Sequence, residues 1–327
     1  MTSKQARIKK VNNIEYLILS STLDYSTDLI CYELSNLGKN YLRLNRDCFN
    51  GYEIIYSLED ETMQIVISDE IYILSNKELK GIYYRAPVFL RSHKHYNLNE
   101  QLSRSQWSAF LRNLIVFNNA KWINHPVQTY QAENKLFQLK IAREVGLLTP
   151  KTYVGNTFPE NIIDKKNYIV KSLDTALFYD GEQELFTYSS VLTGNELKKS
   201  NIQNAPIIIQ ECIENKIDLR VTYIEGEMFA ASITKNGYGI DGDWRKNKKE
   251  ELSYQKISLP KEVINNITKL MQRLNLTFGG IDFALVDEKY YFIEVNPTGE
   301  WAWLKTAVKF SIDKEIVKAL TTGEHTK

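Results

Sequence analysis

The sequence predicts an α/β protein with more than one domain. Its 327 residues exceed what one ordinary hydrophobic core organises, so two or three domains are expected. The first third follows a strand–helix–strand pattern, which favours a parallel sheet. The last third alternates long strand pairs with helices. These patterns predict an α/β domain followed by α+β domains packed together, because no Pro/Gly-rich linker separates them.

The N-terminal third supports the α/β prediction. Residues 14–20 (IEYLILS) are an apolar run of strand length, residues 28–37 are predicted as a helix that Gly38 ends, and residues 41–44 give the next strand. Further strands are expected at 52–57, 64–68, 71–74 and 81–85, and an amphipathic helix at 99–118. The first turn has no Gly-x-Gly-x-x-Gly, so the usual dinucleotide fingerprint is missing.

The middle of the chain is expected to be smaller and rich in β-structure. Pro126 marks its start, since proline discourages helix in the preceding residue. A helix over residues 132–145 is predicted to stop at Gly146. The later elements are predicted as strands at 168–172, 184–188 and 207–212 and helices at 261–274 and 306–320. The predicted domains are therefore residues 1–126, residues 127–208 and residues 209–327.

Composition excludes several classes of protein. The 41 basic and 40 acidic residues leave a formal charge of +1, which gives no electrostatic footprint for nucleic acid. No apolar stretch approaches the roughly 20 residues that span a bilayer, and the polar start predicts no export. The three cysteines fit neither a disulfide framework nor a zinc site. A cytoplasmic protein is expected, and near-neutral charge would permit a homodimer.

The strongest chemical signal is an apolar hairpin over residues 279–297. Side chains alternate along a strand, so Glu294 and Asn296 share one face, and the hairpin brings Asp282 alongside Glu294. Two carboxylates and an amide oxygen suit Mg²⁺. A solvent-facing strand with ordinary charges is the alternative, but acidic groups in so apolar a hairpin need compensation by a cation.

Two lysines and a polar connector add to this signal. Lys171 ends an apolar strand, where an ammonium group is costly unless it reaches an anion, and Lys135 lies early in a helix. Each alone would more often be a solvated side chain. Residues 207–224 form a strand, a polar break and a second strand. Such a connector can offer backbone groups to an adenine edge and acidic groups to a ribose, although by itself a plain corner is the better interpretation.

The order of these features resembles that of the ATP-grasp ligases over roughly residues 120–310. Several segments are similar more narrowly to the microviridin-type peptide macrocyclases, the graspetide synthetases. They are WINHP at 122–126, NKLxQL from 134, GLLTPKT from 146, DWR at 243–245, IEVNPTGEW at 293–301 and YYRxP from 83. The resemblance implies an ATP-grasp fold: an N-terminal pre-ATP-grasp α/β domain, a small central β-rich domain and a C-terminal α+β domain.

The resemblance also implies roles for individual residues. Those expected to bind the nucleotide are Lys135 and Lys171 at the phosphates, Glu211 and Ile213 at the adenine hinge, and Asp218 at the ribose, with Glu214 as its competitor. Those expected at the reacting groups are Arg220 and Arg245 as catalytic arginines and Asp282, Glu294 and Asn296 as magnesium ligands. Two substrate contacts are expected from their positions in the sequence: Arg85, in an otherwise apolar strand, and Glu300, just after the metal strand. For Glu300, helix capping is an equal alternative. In many relatives a glycine-rich loop covers the phosphates at the position of residues 173–184. Here this segment contains a single glycine, Gly181.

The implied reaction uses ATP, Mg²⁺ and a ribosomal precursor peptide with leader and core. A substrate carboxylate attacks the γ-phosphate, and an amine or hydroxyl then displaces phosphate to form an amide or ester. No protein nucleophile is needed, and the sequence shows neither a P-loop nor a Ser/His/Asp elbow. The alternatives are a RimK-like or dipeptide-type ligase acting on small amino acids or protein tails, and a nucleotide-binding regulatory protein without catalysis.

Overall fold

The computed structural model describes residues 10–85, 96–173, 177–180, 183–186 and 189–322. The chain divides into two compact units, residues 1–129 with 311–327, and residues 130–310. The predicted division into three domains remains a prediction. Among the described residues, no helix is long and apolar enough to cross a membrane. Pro87 and Gly181, which belong to the motifs above, lie outside the described residues.

The first unit contains a parallel sheet and a second, mixed sheet. Its strands are β1 (Lys10–Asn13), β2 (Tyr16–Ser20), β3 (Tyr41–Asn45), β4 (Glu53–Ser57), β5 (Thr62–Ile67), β6 (Glu70–Ser75), β7 (Gly81–Tyr84) and β8 (Lys121–Ile123). Its helices are α1 (Tyr25–Asn36), α2 (Leu98–Asn113) and α3 (Pro126–Ala132), which extends across the boundary between the units. The parallel sheet has the order β3-β2-β7-β8, and the other has the order β1-β6-β5-β4.

The predicted strand–helix–strand unit is confirmed. β2 pairs in parallel with β3 and with β7, and all five residues of β2 are buried. A central parallel strand is covered on both faces, which explains its continuous apolar run. Gly38, at φ +62°, takes the left-handed conformation that ends the preceding helix. The helix predicted at 99–118 is α2, followed by a 3₁₀ turn at Leu114–Val116.

The second unit consists of antiparallel sheets with helices packed against them. Its strands are β9 (Thr152–Gly155), β10 (Asn167–Lys171), β11 (Leu177–Asp180), β12 (Gln183–Phe186), β13 (Ser190–Thr193), β14 (Ile207–Glu211), β15 (Ile217–Ile224), β16 (Glu227–Lys235), β17 (Leu252–Lys256), β18 (Phe278–Val286) and β19 (Lys289–Asn296). Its helices are α4 (Lys135–Glu144), α5 (Gly194–Lys199), α6 (Lys261–Arg273) and α7 (Ala302–Val308). The C-terminal helix α8 (Ile312–Thr321) belongs to the first unit.

The sheets of the second unit place the chemical groups. One has the order β13-β10-β14-β9, the other has the order β17-β16-β15-β18-β19, and β11 pairs with β12. Helices α4 and α6 pack against the five-stranded sheet through buried apolar side chains such as Leu139, Leu270 and Phe283. Burial of one helix stripe and one sheet face supplies the core of this unit.

Two predicted helices differ from the structure. The helix expected over 132–145 begins only at Lys135, because Asn134 has an extended backbone and separates α4 from α3. The single helix expected over 306–320 is wrong. Lys309 adopts a left-handed conformation at φ +56°, so α7 ends at Val308 and α8 starts at Ile312. A periodic apolar pattern does not reveal such a break, since the pattern continues on both sides of it.

Candidate functional site

A pocket of about 630 Å³ lies in the second unit. Its lining comes from the start of α4, from β10 and β14 of the four-stranded sheet, from β15, β18 and β19 of the five-stranded sheet, and from loops that include residues 242–245 between β16 and β17. All the predicted site residues of this unit line it, namely Lys135, Lys171, Glu211, Ile213, Asp218, Arg220, Arg245, Asp282, Glu294, Asn296 and Glu300. Residues predicted from separate motifs therefore meet in one place.

The hairpin of β18 and β19 positions the predicted magnesium ligands. Asp282 is paired with Glu294 in the strand register, as predicted, and a bulge follows directly at Asp282/Phe283. The side-chain amide of Asn296 donates a hydrogen bond to Oε1 of Glu294 at 3.3 Å. The two carboxylates and the amide thus lie on one side of the hairpin, as the alternation of strand side chains requires.

Two arginines accompany the carboxylates. Arg220 is the register partner of Asp282 on β15, and its Nε lies 3.2 Å from Oδ1 of Asp282. Nη2 of Arg245 donates to Oδ2 of Asp282 at 2.9 Å and lies 3.8 Å from Oε1 of Glu294. Within the described residues, Nε and Nη1 of Arg220 and Oδ1 of Asp282 are buried without a hydrogen bond. Nε of Arg220 and Oδ1 of Asp282 still face each other as an ion pair, so Nη1 of Arg220 is the atom that favours a ligand in the pocket.

The pKa values of the two carboxyl groups are shifted in opposite directions. Burial raises the pKa of Asp282, although Arg220 and Arg245 oppose the rise. Burial also acts to raise the pKa of Glu294, but Lys171, Lys135 and Arg245 together hold that pKa below its usual value. When two buried carboxyl groups lie side by side, ionisation of one raises the pKa of the other. A cation between them favours the ionised form of both.

The two predicted phosphate lysines face the carboxylate pair. Nζ of Lys135 donates to the backbone carbonyl of Ser172 at 3.2 Å, which places it next to Lys171. Burial lowers the pKa of Lys171, while the charge of Glu294 opposes this change. Among the described residues, the Lys171 ammonium makes no direct hydrogen bond or ion pair. An anionic ligand would restore the stability of its charged form.

The predicted nucleotide hinge also forms part of the pocket. Glu211 ends β14, where its backbone N–H donates to the carbonyl of Lys151 and its carboxylate lies 3.1 Å from Nζ of Lys166. Asp218 accepts hydrogen bonds from Nζ of Lys216 at 2.6 Å on both carboxylate oxygens. Burial raises the pKa of Asp218 to about 6 despite that lysine.

The competitor at the ribose position is placed differently. Glu214 accepts a hydrogen bond from the side chain of Asn167 at 3.0 Å and is absent from the pocket lining, whereas Asp218 contributes to that lining. This placement favours Asp218 as the acidic group beside a ribose.

The two expected substrate contacts have protein partners. Arg85 belongs to the first unit, where its Nε donates to Oδ2 of Asp24 at 2.9 Å. Glu300 lines the pocket, and its Oε1 also accepts from the backbone N–H groups of Trp301 and Ala302, at the start of α7. Glu300 therefore caps a helix, and a substrate contact by either residue remains a prediction.

Some pocket residues were not assigned a role from the sequence. Lys216 pairs with Asp218, and the spacing of two residues at the start of a strand would have indicated that both side chains share a face. Asp243 is the first residue of the DWR motif at 243–245. Its Oδ1 accepts from the backbone N–H and the guanidinium of Arg245, at 3.0 and 3.3 Å, so it orients that arginine.

The donor chemistry fits a magnesium ion. In the described part of the chain, no group of three or more His, Cys, Asp or Glu is arranged to hold a metal, so the predicted set reaches three ligands only through the amide of Asn296. Mg²⁺ commonly uses one or two protein carboxylates and takes its other ligands from phosphate and water. Oδ1 of Asp282 faces Nε of Arg220 but accepts no hydrogen bond, which is consistent with such a site.

Comparison with known proteins assigns the fold. Residues 183–320 match the RimK-like ATP-grasp domain. This chain contains a RimK-like ATP-grasp domain. A search of curated proteins gave no match. The predicted resemblance to the ATP-grasp ligases and the predicted class, an ATP-dependent ligase, are thereby confirmed.

Solved structures extend the ATP-grasp similarity over almost the whole chain. Macrocyclase MdnC of Microcystis aeruginosa MRC, crystallised with precursor peptide MdnA, is 26% identical, with a TM-score of 0.80 over 93% of this chain and 98% of that chain. A RiPP-associated ATP-grasp ligase of Chryseobacterium gregarium, in complex with ADP and a leader and core peptide, is 22% identical, with a TM-score of 0.82 over 94% and 96%. Macrocyclase MdnB of Microcystis aeruginosa MRC is 23% identical, with a TM-score of 0.73 over 96% and 100%. The predicted α/β ATP-grasp fold is therefore confirmed.

Proposed function

We propose that this ATP-grasp protein activates carboxylates of a ribosomal precursor peptide with ATP and joins them to amines or hydroxyls of the same peptide. The observation that carries the proposal is the pairing of Asp282 with Glu294 inside a ring of positive side chains, in a pocket with room for a nucleotide. A carboxylate and the triphosphate of ATP are both anions and repel each other. Positive side chains around the pocket reduce this repulsion, so they favour a reaction between the two.

The proposed chemistry has two steps. A carboxylate oxygen of the peptide attacks the γ-phosphorus of ATP, so a C(O)–O–P bond forms and ADP leaves. An amine or hydroxyl of the peptide then attacks the carbonyl carbon, loses its proton, and displaces inorganic phosphate. Bringing the groups together and stabilising charge supply most of the rate acceleration in such transfers.

The residues of the pocket have complementary roles in this proposal. Lys135 and Lys171 bind the phosphates, while Glu211, Ile213 and Asp218 bind the adenosine. Arg220 and Arg245 stabilise the negative charge of the transferred phosphoryl group and of the acyl phosphate. Asp282, Glu294 and Asn296 would hold Mg²⁺, which neutralises phosphate charge when it is bound. Asp243 fixes the direction of the Arg245 guanidinium through its two hydrogen bonds.

A peptide substrate is favoured by the solved neighbours. MdnC was crystallised with a precursor peptide, and the Chryseobacterium gregarium ligase with a leader and core peptide. These two neighbours cover at least 93% of this chain, so the likeness includes both units. The RimK-like domain match favours a second candidate, a ligase that acts on small amino acids or protein tails.

One experiment separates these functions. The purified protein is incubated with ATP, Mg²⁺ and a candidate peptide encoded by a short open reading frame beside its gene. The mass of the peptide is then measured by mass spectrometry. Loss of one water per link, together with ADP release, supports the macrocyclase proposal. An unchanged peptide with ADP release on free amino acids supports the small-substrate ligase. ATP binding without ADP release on any acceptor would contradict both.

A further inference from the structure

Strand β19, which bears Glu294 and Asn296, is the last strand of its sheet. The outer backbone groups of an edge strand need partners from elsewhere when they are buried. At Val295, between the two expected metal ligands, the partner is a side chain. The backbone N–H of Val295 donates to Oε1 of Gln138 at 2.9 Å, and Nε2 of Gln138 donates to the carbonyl of Val295 at 2.7 Å.

Gln138 replaces a neighbouring strand at this position. Its carboxamide offers one acceptor and one donor, as a peptide group does, and both hydrogen bonds are buried. Nε2 also donates to the carbonyl of Ala132 at the end of α3. Gln138 is 3% exposed, so water does not compete for these contacts. Removing the carboxamide would leave buried backbone groups without partners.

The same glutamine joins two parts of the site. It lies on α4, one turn after Lys135, and the ammonium group of Lys135 lies at the carbonyl of Ser172. The start of α4 and the backbone between Glu294 and Asn296 are therefore held together by one side chain. The spacing between the phosphate lysine and the metal ligands depends on this link.

We propose that Gln138 is a positioning residue that holds β19 so that Glu294 and Asn296 can bind a metal ion together. This inference rests on the proposed function, since it presumes a metal site at the hairpin. Groups outside the ligand shell that orient metal ligands typically contribute about 10- to 100-fold in metal affinity. We expect a loss of that size when the carboxamide is removed.

The test measures metal binding directly rather than turnover. Mn²⁺ binding to the full chain, in the presence of ADP, is followed by electron paramagnetic resonance for wild type, Gln138→Met and Gln138→Asn. Methionine preserves length without hydrogen bonding, and asparagine preserves the amide with a shorter reach. We expect Mn²⁺ affinity about 10- to 100-fold lower in Gln138→Met, with a loss in Gln138→Asn too. If Gln138→Met does not fold, Gln138→Asn carries the test.

Asn266→Ala is the matched control. Asn266 is also a buried amide, and its Nδ2 contacts the carbonyl of Gly146 at 3.4 Å, just beyond the other end of α4. The Asn266→Ala substitution removes a buried amide near α4 without changing a contact of β19. The Mn²⁺ affinity of this variant should therefore stay near that of wild type. Equal Mn²⁺ affinity in wild type and both Gln138 variants would overturn the inference and leave the proposed function standing. No Mn²⁺ binding by the wild type would overturn the metal site first, and the inference with it.

Discussion

The guanidinium of Arg245 donates to Oδ2 of Asp282 at 2.9 Å, in front of the carboxylate pair. Burial would lower the pKa of this arginine, but Asp282, Asp243 and Glu294 together raise it above its usual value. The arginine therefore stays charged. Together with Arg220, which also lies beside Asp282, it compensates the negative charge of the two buried carboxylates.

Replacing Glu294 tests the metal assignment. Glu294→Gln keeps the size of the side chain and the contact with Asn296 but removes the negative charge beside Lys171. We expect ATP turnover to fall by at least about 100-fold, because a metal ligand is lost. The melting temperature should fall as well, because Lys171, Lys135 and Arg245 lose a buried anionic partner. ADP release and thermal unfolding measure the two effects. Glu288→Gln, in the exposed turn of the same hairpin, should change neither, and normal turnover in Glu294→Gln would show that the metal assignment is wrong.

A methyl group at Gly280 would displace the buried arginine. A Cβ at this glycine would lie 2.6 Å from Nη1 of Arg220, which is closer than packed atoms allow. Gly280→Ala should lower the free energy of unfolding by about 1–3 kcal/mol, the usual cost of overpacking, and should lower turnover as Arg220 moves away from Asp282. Chemical denaturation and ADP release provide the measurements. A Cβ at Gly51 would have no atom within 4 Å, so Gly51→Ala is the control. Full activity in Gly280→Ala would argue against a role for Arg220.

Lys171 is expected to bind phosphate. Lys171→Met preserves much of the apolar stem and removes the ammonium group, so a charge-assisted contact is lost. Such contacts are worth about 1.5–3 kcal/mol, which corresponds to roughly a 10- to 100-fold loss of ATP affinity. Calorimetric titration with a nonhydrolysable ATP analogue measures it. Lys289→Met, exposed in the hairpin turn, should bind as wild type does, and unchanged affinity in Lys171→Met would exclude the phosphate role.

Asp218 gives a pH dependence with a defined sign. Its pKa is raised from 3.8 to about 6, so the folded state binds a proton that the unfolded state has already released. The stability contributed by this proton is complete below about pH 4 and is lost as the pH rises through about 6. The difference in unfolding free energy between wild type and Asp218→Asn should therefore fall over this interval and be constant above it. Urea unfolding from pH 4 to 8 measures the difference, and a flat difference would contradict the raised pKa.

The hairpin was predictable because its cause is local. Alternation of side chains fixes which residues share a face, and the turn at residues 287–289 fixes the register, so Asp282 and Glu294 were expected side by side. The first strand–helix–strand unit was predictable for the same reason. The break at Lys309 was not, since the left-handed backbone there interrupts a pattern that remains apolar on both sides.

The sequence by itself determined which residues carry positive charge and which carry carboxylate or amide oxygens, and the short-range order that places them on strands and helix starts. Only the tertiary structure decided how they meet. It placed the four- and five-stranded sheets around one pocket, brought Asp218 but not Glu214 to the lining of that pocket, and set Gln138 against Val295 across 157 positions of chain. Contacts between residues so distant in sequence depend on how whole elements bury their apolar faces, and no local pattern contains that information.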